Sequence, residues 1–352
     1  MKNLKKLFAL TLALAMVLAL AACGQTAAPA ATAAPAATEA PAAEEPAAEA
    51  NDEPAAETTD WPTKPIEIIV SASAGGDCDA NARILAEALT RKLGVSVVVS
   101  NVTGSGSVVG NRQAKDSDPD GYTLLLTHEG IMINKAAGLS DFDIHDYDLV
   151  GTVGKGPGYL LATGTINGFE KFQDMIDYSQ AHPGELTLSV GTGSTTEIMG
   201  FMAKDAGADL TDVDFGDAAQ KLAGLVGGQL DATFLSYAAM QQYIETGEMV
   251  SLGLLADERS PFFPDEPTMK EQGFEVMSMQ PHYLLAFPKG VDTAIFNKMR
   301  QAVIDIVNED EEYAEALTTW MQEPYFEDAD TSYDFYDGIY DMSVDYYARL
   351  GD

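Results

Sequence analysis

The chain has 352 residues, in which 20 lysines and arginines stand against 55 aspartates and glutamates, a formal net charge of −35. A nucleic-acid binder needs cations to neutralise phosphates, so this balance excludes one. Two cysteines permit at most one disulfide and exclude a cysteine-rich zinc or disulfide scaffold.

Residues 1–22 read as an export signal. Lys2, Lys5 and Lys6 precede an apolar run from Leu7 to Ala22, too short for a comfortable transmembrane helix. The run ends in Leu20-Ala21-Ala22-Cys23, a lipobox, so Cys23 is expected to be diacylated and to become the new N-terminus. Two acyl chains suffice for a stable lipid anchor. An ordinary secretory signal with a chance cysteine is the alternative. Residues 23–60 are rich in Ala, Pro, Glu and Thr and nearly free of bulky apolar side chains. They cannot bury a core and are expected to form a disordered, partly extended tether. With three lysines in the signal and eight acids in the tether set aside, the body from Trp61 keeps 17 basic and 47 acidic residues, a net of −30. Its length suits two α/β lobes.

Within the body, Ile66–Val70 reads as a buried strand broken by Gly75-Gly76. Ile84, Leu85, Ala88, Leu89 and Leu93 then recur at helical spacing, with Gly94 at the end. Val95–Ser100 is a second strand. Tyr122–Thr127 is a third, after the turn Asp118-Pro119-Asp120-Gly121. Leu186–Val190 is a strand leading through Gly191-Thr192-Gly193 into a helix. Asp231–Leu235, Leu252–Ala256 and Tyr283–Phe287 are further strands, and Phe296–Val307 and Glu312–Met321 are helices. Repeated strand–glycine loop–helix units predict parallel sheets with ligand sites at the carboxyl ends of strands.

Several motifs dissolve on inspection. Asp116-Ser117-Asp118-Pro119-Asp120-Gly121 matches half a calcium loop, but the bidentate acid would fall on Thr127. Gly104-Ser105-Gly106 with Gly110 misses the dinucleotide spacing and lacks an acidic ribose partner. No metal site and no cofactor is expected. The histidines of the body are His128, His145, His182 and His282. Cys78 opens a helix between Asp77 and Asp79; the helix terminus lowers a thiol pKa, and the two carboxylates raise it. No catalytic constellation follows, and no catalytic residue is assigned.

What remains is a pair of anion-ready loops. One is Ser71-Ala72-Ser73-Ala74-Gly75-Gly76-Asp77-Cys78-Asp79, the other Gly191-Thr192-Gly193-Ser194-Thr195-Thr196. Each offers free amides and a helix dipole, and the two could grip the ends of a small acid. Ser, Thr and Asp are also ordinary helix caps, so a purely structural role stays open.

The body also resembles the tripartite tricarboxylate transporter substrate-binding proteins, or Bug-type receptors. The resemblance rests on Trp61-Pro62-Thr63-Lys64-Pro65-Ile66, Ala74-Gly75-Gly76-Asp77-Cys78-Asp79 and Asp118-Pro119-Asp120-Gly121-Tyr122-Thr123-Leu124-Leu125. Leu225-Val226-Gly227-Gly228-Gln229-Leu230-Asp231, Arg259-Ser260-Pro261, Pro264-Asp265-Glu266-Pro267-Thr268 and Pro288-Lys289-Gly290 follow in order. It implies an α/β, two-lobed periplasmic-binding-protein-like fold of type II with a hinged cleft. One lobe would hold 61–160 and 285–352, the other 161–284, with Tyr159–Thr163 and Tyr283–Phe287 crossing between them.

The resemblance further implies a receptor that binds a small organic acid or amino acid and delivers it to large and small permease subunits, outside the cytoplasm and anchored in the membrane. Ligand-binding residues would be Ala72, Ser73, Ala74, Gly75, Gly76, Asp77, Cys78 and Asp79 of the first loop. The second loop would supply Gly193, Ser194, Thr195 and Thr196. His128, Glu129, Gly130, Ser236 and His282 would line the cleft. A sensor lipoprotein presenting the ligand to a signalling partner, or a secreted enzyme acting on a small acid, stays open. The chain departs from the family pattern at Ala72, Asp77, Glu197 and Phe215-Gly216-Asp217. These changes add acids or remove a lysine near the expected cleft. They favour a ligand that carries an amine beside its carboxylate over a plain di- or tricarboxylate.

Overall fold

The computed structural model describes residues 60–349. The signal, the expected lipidation at Cys23 and nearly all of the tether lie outside the described residues. Two five-stranded sheets organise the rest. The first contains β1 (Ile66–Val70), β2 (Val97–Asn101), β3 (Thr123–Thr127), β4 (Tyr147–Lys155) and β10 (His282–Pro288), in the order β2-β1-β3-β10-β4. The second contains β5 (Tyr159–Gly164), β6 (Thr187–Ser189), β7 (Thr211–Val213), β8 (Ala232–Ser236) and β9 (Met249–Leu255), in the order β7-β6-β8-β5-β9.

The sheets are mixed, which corrects the expectation of parallel sheets. β1 runs parallel to β2 and β3, and β6 to β7 and β8, whereas β10 is antiparallel to β3 and β4, and β5 to β8 and β9. The reason is topological. β5 and β10 are the first strands after the chain passes from one sheet to the other, so each enters its sheet from the end facing the other sheet. Tyr159 accordingly pairs with Ser236 at the carboxyl end of β8, and His282 with Lys155 at the carboxyl end of β4. Tyr159 and Leu160 thus pair in the second sheet, and His282, Tyr283 and Leu284 in the first.

Two crossovers join the sheets, Gly156-Pro157-Gly158 and residues 256–281. They touch where Gly156 N donates to Pro281 O at 2.8 Å, and the second is tied back to β9 by Met279 N donating to Leu255 O at 3.2 Å. A Cβ on Gly156 would overlap the Pro281 ring, so this position needs glycine for close approach.

Helix α1 (Asp77–Leu93) shows how the sequence sets local structure. Asp77 and Asp79 sit in its first turn and Arg91 and Lys92 in its last, complementing the helix dipole. Gly94, at φ 73°, ends it with a bond from its amide to Thr90 O. Helices α2 (Val108–Lys115) and α3 (Gly130–Ala136) follow β2 and β3. Helices α4 (Phe172–Ala181), α5 (Thr195–Asp205), α6 (Ala218–Val226) and α7 (Tyr237–Glu245) belong to the middle of the chain, and α8 (Thr293–Glu309), α9 (Glu311–Thr318) and α10 (Ala329–Arg349) follow β10.

One face of the first sheet packs Ile66, Ile68 and Phe287 against Leu85, Leu89, Met299 and Tyr313 of α1, α8 and α9. The other face, with Ile69, Leu125 and Tyr147, belongs to a core that continues into Leu161, Phe172 and Phe234 of the second sheet region. Helix α10 joins both halves. Tyr336 and Ile339 enter this core, while Tyr346 stacks on Phe201 of α5 with ring centroids 5.5 Å apart. No helix among the described residues is long and apolar enough to cross a membrane.

Candidate ligand site at the junction of the two sheets

The first loop leaves β1 and rises to the N-terminus of α1. Ser73, Ala74, Gly75 and Gly76 are exposed and Ala72 is half-buried. Gly75 sits at φ 82°, in the left-handed region, whereas Gly76 is extended at φ −91°, where a Cβ would make only an ordinary contact with Ser73 O at 3.7 Å. No side chain caps α1. The first-turn amides of Asp77 and Cys78 therefore lack an intrahelical acceptor and face the loop mouth.

Behind this mouth, two of the expected ligand residues hold the loop itself. Asp79 is buried and accepts from Gly75 N at 2.8 Å, from the Arg83 guanidinium at 3.0 Å and from Asn101 Nδ2 at 2.9 Å. Burial opposes its ionisation, but these donors hold its carboxyl below the usual range. Cys78 is a free, buried thiol packed toward Leu126 O. Burial, with Glu129, Asp77 and Asp79 nearby, pushes its pKa far up, so it is a packed thiol without nucleophilic character.

Asp77 does reach the junction. Its Oδ1 accepts from the Ser236 hydroxyl at 3.0 Å, a bond from the first sheet's α1 to the end of β8 in the second. Its pKa rises from 3.8 to about 6, chiefly through burial, while the Ser236 bond and His128 act in the opposite direction. Ser236 also caps α7 through Ala239 N.

The second half of the junction centres on Glu129, which is fully buried. It accepts from the hydroxyls of Tyr159 and Thr195, both at 3.2 Å, and from His282 N at 3.3 Å. His128 is half-buried; its Nδ1 accepts from Gly130 N, which fixes the start of α3. His282 lies mostly buried against the Phe335 ring, with ring centroids 3.9 Å apart, and burial lowers its pKa.

The second loop is tied more tightly than the sequence suggests. Gly193 N donates to Glu197 Oε2 at 2.7 Å, Gly191 N to Thr196 Oγ1 at 3.0 Å, and Ser194 Oγ to Gly191 O at 2.6 Å. Gly193 has φ 68° and is buried; a Cβ there would overlap Leu139 of the first sheet region. Asn134 of α3, also fully buried, donates to Gly193 O at 2.7 Å while its Oδ1 has no partner. Helix α5, like α1, begins without a side-chain cap from its N-cap residue.

Two acids expected to add charge to the cleft do not. Glu197 turns back to Gly193 N and to the Tyr347 hydroxyl at 2.6 Å, and exposed Asp217 caps α6 by accepting from Gln220 N at 2.9 Å. Both sit in helix starts, where the backbone offers donors that compete for a carboxylate. Asn134, Tyr159 and Tyr347 were not singled out from sequence; they matter through partners 59, 30 and 150 residues away. Among the described residues no group of three or more His, Cys, Asp and Glu is placed to hold a metal ion.

Two sheets linked by two crossovers, with Ser236 and Thr195 of the second sheet region donating hydrogen bonds to Asp77 and Glu129 of the first, give the two-lobed architecture found in solute-binding proteins. The family model described as Tripartite tricarboxylate transporter family receptor matches residues 81–340. Protein BugT of Bordetella pertussis is 31% identical over 243 residues, covering 67% of this chain and 74% of that protein. A Cupriavidus necator protein encoded in the gbd 5' region is 28% identical, covering 76% of this chain and 81% of its own length. Among solved structures, a periplasmic transporter superposes with TM-score 0.75 at 26% identity, covering 82% of this chain and 98% of that one. The periplasmic binding protein BugD superposes with TM-score 0.73 at 23% identity, covering 83% and 99%.

The chain belongs to the tripartite tricarboxylate transporter receptor family. It is a solute-binding receptor with a periplasmic-binding-protein-like fold.

Proposed function

We propose that this receptor is held to the outer side of the cytoplasmic membrane by a lipid on Cys23 and captures a small carboxylate-containing metabolite between its two sheets. Each sheet is the core of one lobe, and the crossovers at 156–158 and 256–281 are the hinge. Capture in an open form, closure, and docking of the closed form onto the large and small permease subunits complete the cycle. It acts by binding, without turnover.

The observation that carries this reading is that α1 and α5, which open from different sheets, both begin uncapped beside the same set of cross-sheet bonds. Their free amides suit a carboxylate. Asp77 and Glu129 bring two carboxylates to the same place, and neither has a lysine or arginine within ion-pair distance among the described residues. An ammonium would suit these acids, so the ligand we favour carries an amine as well as a carboxylate.

A thermal-shift screen of organic acids and amino acids tests the reading. A true ligand at 100 times its Kd adds about 2.7 kcal/mol of stability, and mass spectrometry of the mixture should find it unchanged. Chemical conversion of a hit would overturn the receptor assignment. Tight binding of succinate with no response to any amino acid would overturn the amine.

A further inference from the structure

The two loops of the junction are closed by one device with different partners. In each, a glycine at positive φ donates its amide to the acid four residues on: Gly75 to Asp79 at 2.8 Å, and Gly193 to Glu197 Oε2 at 2.7 Å. The first acid is held from its own helix, where the Arg83 guanidinium pairs with it at 2.9 Å. The second is held from far along the chain. The Tyr347 hydroxyl donates to Glu197 Oε2 at 2.6 Å, so one oxygen takes both the hydroxyl and the Gly193 amide.

Tyr347 lies in the last turn of α10, a helix whose root belongs to the first sheet. Ser332 Oγ sits 2.8 Å from Thr152 Oγ1 of β4, and the Tyr336 hydroxyl donates to His282 O of β10 at 2.9 Å. The far end of α10 lies on α5. Tyr346 stacks on Phe201, the Tyr347 ring meets Phe201 edge-on with centroids 5.8 Å apart, and Arg349 pairs with Asp205. Phenylalanine would pack on Phe201 as well, so what tyrosine adds is the donor. Burial, with the Glu197 carboxylate, pushes the Tyr347 pKa far up, and the hydroxyl keeps its proton.

We propose that Tyr347 is a positioning residue for ligand capture: through Glu197 it sets the second loop, and it does so only while the end of α10 lies on α5. Seating of α10 on α5 and assembly of the second loop are then one event, which ties the shape of that loop to the closed arrangement of the lobes. The first loop, held within its own helix, is preformed. The inference rests on the receptor reading above for its role in capture.

The test is hydrogen exchange, read by mass spectrometry on the full chain without ligand, for wild type, Tyr347→Phe, Glu197→Ala, the double variant and Arg349→Ala. In Tyr347→Phe, peptides covering 191–196 should exchange at least fivefold faster, while 72–79 and 336–346 exchange as in wild type. In Glu197→Ala the second loop should be as fast, and adding Tyr347→Phe should change it less than twofold, because the hydroxyl acts through Glu197. Arg349→Ala breaks an exposed pair between the same two helices and should leave 191–196 unchanged. Should Glu197→Ala fail to fold, Tyr347→Phe, which removes one oxygen and keeps the ring, decides the matter. L-Glutamate and succinate, titrated calorimetrically, read the consequence: a probe that wild type binds should bind Tyr347→Phe at least fivefold more weakly. Unchanged exchange at 191–196 in Tyr347→Phe overturns the proposal. So does acceleration that spreads over 336–346, an equal acceleration in Arg349→Ala, additive effects in the double variant, or unchanged affinity for a probe that wild type binds. Exchange is read without ligand, so this outcome is separate from that of the receptor reading, which the ligand screen decides.

Discussion

Replacing Asp77 by asparagine separates charge from shape at the junction. Asparagine keeps an oxygen that can accept from the Ser236 hydroxyl, so the bond seen at 3.0 Å survives while the ionisable group is lost. The carboxyl of Asp77 rises from 3.8 to about 6, mainly because burial disfavours the charged form. A folded pKa above the unfolded one favours the protonated group, so the folded state is relatively stabilised below about pH 4. That stability is lost as pH rises through about 6. A rise of this size corresponds to about 3 kcal/mol at most between acid and neutral pH. The side chain is partly exposed, and screening by solvent lowers the expectation to about 1–2 kcal/mol. Urea titrations of wild type and Asp77→Asn at pH 4.0 and 7.5 measure it directly. The other carboxylates titrate alike in both proteins and cancel in the difference. The variant should be nearly isostable at pH 4.0 and more stable than wild type by about 1–2 kcal/mol at pH 7.5. An equal difference at both pH values would refute the reasoning, because it would show that Asp77 titrates alike in folded and unfolded chains.

Four further predictions concern the loops and the anchor. Gly193→Val should abolish ligand binding in thermal-shift assays, since φ 68° strains a β-branched residue and the new side chain would push the Leu139 tip out of its place beside the loop. Gly76→Val should instead fold normally, because its backbone is extended and its Cβ meets only Ser73 O at 3.7 Å; a fall in affinity without a fall in melting temperature would locate the ligand against this amide. Arg83→Ala should weaken binding only a few-fold by calorimetry, as Arg83 supports the loop through Asp79 at 2.9 Å and is itself half-exposed. Cys23→Ala should release the protein from membranes with ligand affinity unchanged, and an intact, unacylated Cys23 found by mass spectrometry on the exported protein would rule out the anchor.

The parts of the fold that were legible in the sequence share a physical cause. β1, β3 and β10 are nearly continuous apolar runs buried on both faces, and the observed strands match the expected ones within a residue or two. The start of α1 follows a glycine pair and its end is fixed by Gly94. The long α10 escaped notice because its buried face is made of Ser332, Tyr336, Ile339, Ser343 and Tyr346, a helical spacing carried mostly by hydroxyl-bearing residues and interleaved with aspartates. β7 is three residues, two of them exposed, and carries no apolar pattern at all. At the site, the two glycine loops could be read because local chemistry marks them. Tyr159, Asn134 and Tyr347 could not, because each acts on a residue remote in sequence. Glu197 and Asp217 misled for the converse reason: a carboxylate in a first turn reads the same whether it faces a ligand or its own backbone.

Four of the bonds across the junction have a common form. Ser236 donates to Asp77, Tyr159 and Thr195 to Glu129, and Tyr347 to Glu197, so in each a hydroxyl meets a carboxylate. Arg349 with Asp205 at 2.7 Å, an exposed pair, adds a cation from α10 to α5. A hydrogen bond to a charged group contributes about 1.5–3 kcal/mol net, while taking a carboxylate out of water costs several kcal/mol. The two nearly offset one another, and the raised pKa of Asp77 records a remainder on the side of cost. In the receptor cycle we propose, a junction balanced in this way leaves the ligand an equilibrium to shift, since moving a two-state equilibrium from 1:99 to 99:1 takes about 5.5 kcal/mol of differential affinity. On the proposed reading, the ammonium of the ligand would supply Asp77 and Glu129 with a counter-charge that hydroxyls cannot, offsetting the desolvation cost and so selecting the ligand that carries it.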